Sequence, residues 1–180
     1  MRRLMLLRHA KTETDAPSGR DQDRRLDERG HRDAAEIGAW IGAHLPFPDH
    51  VMVSPAVRAV QTWDIAWEAM KKQAPKPQIE LVPELYGAET TQLLLSIRMA
   101  AATEPKRLLL VGHNPGMHEV ALALTGSGDK ASREALLDNL PTSGLVVLDF
   151  ETDDWNDVAF RRGKLVLFVS PKQLKQASND

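Results

Sequence analysis

Five side chains in this 180-residue sequence are of types suited to work on an anionic group: Arg8 and His9 side by side, then Arg58, Glu84 and His113. A guanidinium offers parallel donors to two oxygens, and an unprotonated imidazole nitrogen can attack an electrophile such as phosphorus. Taken alone, the Arg8-His9 pair fits two readings, a reactive pair at a strand end or an exposed loop pair, and only its surroundings can decide. Asp21 and Asp23 form an Asp-x-Asp pair of the kind that ligates metals, but no matching cluster of acids or histidines follows. The expectation is therefore no metal and no cofactor. His31, His44 and His50 read as surface or capping residues, and His118 as structural or exposed.

These groups need elements to hold them. Leu4-Met5-Leu6-Leu7 has no polar alternation, the pattern of a strand buried on both faces, and it sets Arg8 and His9 at its carboxyl end. Open α/β sheets bind their ligands in the crevice beyond such ends. Residues 51–53, 79–82 and 107–111 read as further strands, and they too run into polar signals: Ser54-Pro55, Pro83-Glu84-Leu85-Tyr86-Gly87 and Gly112-His113-Asn114-Pro115-Gly116. Ser54 and Asn114 look like N-caps, each with a proline as first helical residue. If the strands are parallel, Arg8 with His9, Arg58, Glu84 and His113 meet on one sheet edge, next to helix N-termini that also favour an anion.

Between the strands, apolar spacing predicts a helix over 28–45 through Ala34, Ile37, Ile41 and Leu45, stopped by Pro46 and Pro48. A second starts at Pro55 with Ala56, Val60, Trp63, Trp67 and Met70 as its buried stripe, and Arg58 off it. A third carries Leu93, Leu94, Ile97 and Ala101, a fourth Met117, Val120, Ala121 and Leu124, and a short one covers 132–137. Residues 126–129 read as a loop; Gly126-Ser127-Gly128 lacks the Gly-Lys-Ser/Thr ending of a nucleotide loop. Strands at 144–150 and 164–169 close the domain as a hairpin. The polar stretch 11–28 is a long loop with at most a short helical turn; a functional cover and a solvated surface both fit it.

Composition bounds the rest. The 23 Lys plus Arg against 25 Asp plus Glu give a net charge of −2, so no basic excess argues for nucleic acid or an anionic membrane. There is no cysteine, which excludes disulfides and thiol catalysis. The first apolar run, cut at Arg8, is too short for a signal-peptide core, and no run reaches membrane-spanning length. The expectation is a cytoplasmic α/β protein: a three-layer sandwich with a mostly parallel central sheet flanked by helices, one domain over 1–170, and a frayed tail over 171–180.

The sequence resembles the histidine phosphatase superfamily, of phosphoglycerate mutase-like fold, and within it the short SixA-like phosphohistidine phosphatases. The resemblance rests on residues 6–11 (LLRHAK), 23–30 (DRRLDERG), 54–62 (SPAVRAVQT), 83–86 (PELY) and 111–116 (VGHNPG), in the family's order. It implies that His9 is a nucleophile forming a covalent phosphohistidine, that Arg8, Arg58 and His113 hold the phosphoryl oxygens, and that no metal is needed. It implies a phosphohistidine-bearing protein as substrate and partner. A small phosphomonoester, or a silent phospho-ligand binding module, remains open. The sequence departs from the family pattern in three places. Ala10 replaces a common glycine, and Arg25 replaces the proline of Arg-Pro-Leu. Asn114 stands where one branch has an acidic Asp, leaving Glu84 as a possible acid or a rim residue.

Overall fold

A computed structural model describes residues 1–179 of the chain. The first apolar run lies within β1 (Arg2–Arg8), the middle strand of a seven-stranded sheet, and Leu4, Met5, Leu6 and Leu7 have no exposed surface. Around it, in chain order, come α1 (Glu28–His44), β2 (His50–Val53), α2 (Val57–Met70), β3 (Gln78–Leu81) and α3 (Thr90–Arg98). Then follow β4 (Arg107–Gly112), α4 (Gly116–Leu124), β5 (Thr125–Gly128), α5 (Lys130–Asp138), β6 (Leu145–Phe150), β7 (Gly163–Val169) and α6 (Pro171–Asn179).

The strand order is β3-β2-β4-β1-β6-β7-β5, and of these only β6 runs against the rest. Successive side chains of a strand point to opposite faces, so β1 feeds two cores. Leu4 and Leu6 pack with Leu93, Ile97, Met117 and Val120 of α3 and α4, while Met5 and Leu7 pack with Ile37, Ile41, Trp63 and Met70 of α1 and α2. This is the expected three-layer α/β sandwich. Two helices approach closely on the second face: a Cβ added to Gly38 of α1 would overlap the Ala66 backbone of α2. No helix among the described residues is long and apolar enough to cross a membrane.

Four local expectations need correction. The stretch 126–129 is not a plain loop, because Thr125–Gly128 forms the edge strand β5, parallel to β7. Its Thr-Gly-Ser-Gly sequence has too little apolar side chain to announce a strand. Helix α2 starts at Val57 and not at Pro55, since Ser54 faces another partner. Its buried residues are Arg58, Ala59, Thr62, Trp63, Ala66 and Met70, so the true stripe passes through Arg58. His50 is no surface residue: it lies buried on β2, with Nδ1 at 3.0 Å from Thr103 Oγ1 and Nε2 at 3.2 Å from Glu80 Oε2.

The fourth correction concerns the tail, of which Asp180 lies outside the described residues. Residues 171–179 are helical rather than frayed. Ser170 Oγ accepts from Gln173 N–H at 3.3 Å while Gln173 Oε1 accepts from Ser170 N–H at 2.9 Å, a reciprocal cap. Leu174 packs onto the core beneath, and Lys175 Nζ lies 3.5 Å from Asp33. The folded unit therefore runs past residue 170.

Since Leu6 is fully enclosed at the sheet centre, Leu6→Ala is expected to cost about 2–5 kcal/mol. Denaturant unfolding followed by circular dichroism measures this, and a cost below about 1 kcal/mol would contradict the packing described.

Candidate active site

The backbone at the carboxyl end of β1 is pinned on three sides. Arg8 N–H donates to the Gly144 carbonyl at 3.1 Å, His9 N–H to Gly112 at 3.0 Å, and Ser143 N–H to the carbonyls of both Arg8 and His9 at 3.1 Å. Ser143 takes a left-handed φ of 59° at this corner, strain that residues outside glycine seldom accept. Beyond His9, Ala10 N–H donates to Thr62 Oγ1 at 2.9 Å, and that hydroxyl donates to the Arg58 carbonyl at 2.7 Å. A buried threonine of α2 thus ties the chain after β1 to the turn that carries Arg58.

His9 itself is 7% exposed, and its Nδ1 lies 2.7 Å from the Ala10 carbonyl oxygen. A carbonyl can only accept, so Nδ1 carries the proton and Nε2 keeps a free lone pair. The His113 ring stands 5.2 Å from that of His9, centroid to centroid. Arg8 spends Nη1 on the Leu140 carbonyl at 3.1 Å. Arg58 spends Nη1 on the Asp21 carbonyl at 2.8 Å and Nη2 on Asp21 Oδ2 at 3.0 Å.

Other groups are left over. Among the described residues, five buried side-chain polar atoms lack a partner, and four of them belong to residues gathered at this strand end: Arg8 Nε, Arg58 Nε, His113 Nδ1 and Ser143 Oγ. Folded proteins leave few such atoms, because each costs about 1–3 kcal/mol. Two guanidinium donors and an imidazole nitrogen left bare near the free Nε2 of His9 are groups of the kind that can hold a tetrahedral oxyanion.

Charge follows the same logic. Burial first, then the nearby His113, Arg58 and Arg8, push His9 down to about 3, against the Ala10 hydrogen bond, which raises it. Burial first, then Arg58, Arg24 and Arg8, push His113 down to about 4, with Asp21 opposing. Both imidazoles are therefore neutral at pH 7. Arg8 is also lowered by burial, from a value so high that it stays charged.

The loop over 11–28 reaches this corner through Asp21, which sits in a short 3-10 turn over Asp21–Asp23. Its Oδ2 accepts from Tyr86 Oη at 2.7 Å as well as from Arg58, and its Oδ1 accepts from Arg24 Nη2 at 3.2 Å. These donors, Tyr86 foremost, hold the Asp21 carboxyl below its usual range. Tyr86 in turn sets its ring at 5.6 Å from His113, nearly edge-on. Asp23 turns instead to Ser18 Oγ, which donates to it at 2.7 Å.

Of the residues singled out in the sequence, Arg8, His9, Arg58 and His113 come together. Glu84 does not join them by any hydrogen bond among the described residues; it lies exposed in the turn Pro83–Leu85. Asn114 is a tie: Nδ2 donates to the Leu140 carbonyl at 2.8 Å and Oδ1 accepts from His118 N–H at 3.2 Å. His118 reaches the Leu136 carbonyl at 2.6 Å, a structural role. Asp21, Thr62, Tyr86 and Ser143 were not foreseen as site residues. Tyr86 and Thr62 fall inside apolar-flanked motifs that could have flagged them; nothing local marks Ser143.

Comparison with known proteins bears on the family and the fold. Residues 4–86 match the family model of the histidine phosphatase superfamily, branch 1. A protein of Mycobacterium tuberculosis, itself uncharacterised, is 37% identical over 169 residues, 92% of this chain and 100% of its own. A solved structure from Agrobacterium tumefaciens, a candidate phosphohistidine phosphatase SixA, is 35% identical with a TM-score of 0.77, covering 94% of this chain and 98% of that one. The fold alone is shared with a protein histidine phosphatase SixA solved with tungstate, at 19% identity and a TM-score of 0.75, covering 96% of this chain and 99% of that one.

Because both imidazoles have lowered values in the folded state, the unfolded chain takes up protons first as the pH falls below about 6.5. Their contribution is nil above that pH, becomes increasingly destabilising as the pH falls toward their folded values of about 4 and about 3, and persists below them. Nitrogen-15 NMR is expected to show His9 and His113 neutral at pH 5 in the free protein; a midpoint near 6.5 for either would contradict the enclosure described.

Proposed function

We propose a substrate and a mechanism from one premise: this chain belongs to the histidine phosphatase superfamily, among its SixA-like members. It is a phosphatase that removes phosphate from phosphohistidine on a protein, through a covalent phosphohistidine of its own. The observation that carries this reading is the bare Nε2 of His9 beside the unpartnered donors Arg8 Nε, Arg58 Nε and His113 Nδ1.

In the first step His9 Nε2 attacks phosphorus, the bond from phosphorus to the substrate imidazole breaks, and that nitrogen departs with the electron pair and picks up a proton. Water then attacks phosphorus on His9, releasing phosphate and restoring Nε2. Arg8, Arg58 and His113 donate to the non-bridging oxygens, where charge accumulates in the transition state; in phosphoryl transfer, positioning and such electrostatics supply most of the catalysis. A low proton affinity keeps Nε2 free to attack at neutral pH.

The substrate class rests on the leaving group. Asn114 cannot act as an acid and is occupied by Leu140 and His118, while the carboxylates on this side, Glu84, Glu89 and Glu119, are all exposed. An imidazole needs less protonation to depart than an alkoxide does. A cavity of about 480 Å³ opens beside His113, between Gly87, Glu89 and Thr90 on one side and Asn114 and Glu119 on the other. Lined by two glutamates and no lysine or arginine, it suits a neutral or cationic side chain better than a carboxylate-bearing small phosphate ester. Kinship to the Agrobacterium SixA supports the same class.

A rapid-quench assay with phosphorus-labelled phosphohistidine protein and a labelled aryl phosphate tests the reading. Wild type is expected to carry an acid-labile, base-stable label and to turn over the protein substrate faster. His9→Ala is expected to carry none while keeping phosphate affinity. Arg58→Ala is expected to weaken both binding and turnover, with kcat down about 10²–10³-fold. Full activity in His9→Ala overturns the nucleophile, faster aryl phosphate turnover selects a small-ester phosphatase, and binding without turnover selects a binding module.

A further inference from the structure

Ser54 was expected to cap a helix, and it does something else. It closes β2 with no exposed surface, its N–H donating to the Val111 carbonyl at 3.0 Å, and its Oγ lies 2.7 Å from His113 Nε2. The same oxygen accepts from Ala56 N–H at 3.3 Å. A serine hydroxyl has one proton and two lone pairs. One lone pair takes the Ala56 N–H; the proton, shut away from water, needs an acceptor. Among the described residues, the one acceptor within hydrogen-bond distance of Ser54 Oγ is His113 Nε2.

We propose that Ser54 is a positioning residue for the reaction: its hydroxyl donates to His113 Nε2, fixes His113 as the Nδ1–H tautomer, and so turns an N–H toward the phosphoryl oxygens. The atom concerned, His113 Nδ1, is buried and without a partner, as a donor waiting for an oxyanion would be. This rests on the reading of the site given above but concerns a different atom from the nucleophile.

The two histidines then share one tautomer and present opposite ends. His9 gives its Nδ1–H to the Ala10 carbonyl and faces the phosphoryl group with the bare Nε2. His113 has its Nε2 covered by Ser54 and faces the group with Nδ1–H. A second bare nitrogen in this cradle would set a lone pair against phosphoryl oxygens, and it would offer a competing nucleophile. Free histidine prefers the Nε2–H form, so the Nδ1–H form at this position has to be imposed. The serine hydroxyl imposes it without adding charge, whereas a carboxylate there would raise the proton affinity of His113 and make an imidazolium beside Arg58.

The test is a nitrogen-15 NMR tautomer assignment of His113 in the ligand-free protein, for wild type, Ser54→Ala and Ser54→Thr, alongside kcat and KM with a phosphohistidine peptide. The wild type is expected to show a protonated Nδ1 and a pyridine-type Nε2. Ser54→Ala is expected to move His113 to the Nε2–H form and lower kcat by about 10- to 100-fold, with a smaller change in KM, since the competent tautomer is still reachable at a cost. Ser54→Thr, which keeps the hydroxyl, is expected to keep the Nδ1–H form and to recover most of kcat. A protonated Nε2 in wild type overturns the proposal, and this measurement stands even if neither variant folds. Retention of the Nδ1–H form in Ser54→Ala, or an unchanged kcat despite a switched tautomer, overturns it as well. The NMR arm needs no substrate, so its outcome is independent of whether phosphohistidine is the substrate.

Discussion

An imidazole that must stay unprotonated beside two permanent cations is the constraint on which the rest of this structure depends. His9 meets it by burial. Its strand, β1, is the middle one of seven, and the four residues before Arg8 are sealed between helices on both faces. The low-dielectric end of that strand penalises the imidazolium, and Arg8, Arg58 and His113 add to the penalty. Solvent entry at this corner would undo both effects at once.

Gathering guanidiniums in a buried corner is costly unless something opposes the repulsion. The loop over 11–28 supplies the opposition through Asp21, which accepts from Arg58, Arg24 and Tyr86 together. Asp21 takes the two terminal nitrogens of Arg58 and leaves the guanidinium Nε free. The remaining polar ends of Arg8 and Asn114 converge on a single acceptor, the Leu140 carbonyl ahead of β6. The arginines are thus held by groups that orient them without filling their inward-facing valences.

The backbone carries a comparable share of the work. Strain at Ser143, the Thr62 bridge from Ala10 to Arg58, and the carbonyl of Ala10 under His9 fix a few torsions each. A site placed this way is stiff, because Thr62 belongs to α2 and the backbone groups that hold Ser143 and His9 include Arg8 of β1 and Gly112 of β4.

Much of this was legible in residues 1–180 alone. Buried strands announce themselves by apolar runs without alternation, so Leu4–Leu7 and Leu108–Val111 locate two central strands and the polar residues at their ends; both features are local. Parallel strands then bring Arg8, His9, Arg58 and His113 to one edge, because all strand ends of one sense lie on the same side of a sheet. Where local pattern was thin or ambiguous, the reading failed: Thr125–Gly128 as a strand, His50 as a buried residue, residues 171–179 as a helix. The sequence by itself determined four of the site's groups, Arg8, His9, Arg58 and His113, and that parallel strands would bring them to one sheet edge. Only the tertiary structure decided what each group faces. Ser54 meets His113 across 59 residues and Asp21 meets Tyr86 across 65, while Glu84 stays at the rim. Those pairings depend on strand order and on the path of one long loop, and hydrogen-bond direction changes over an ångström that no spacing along the chain encodes.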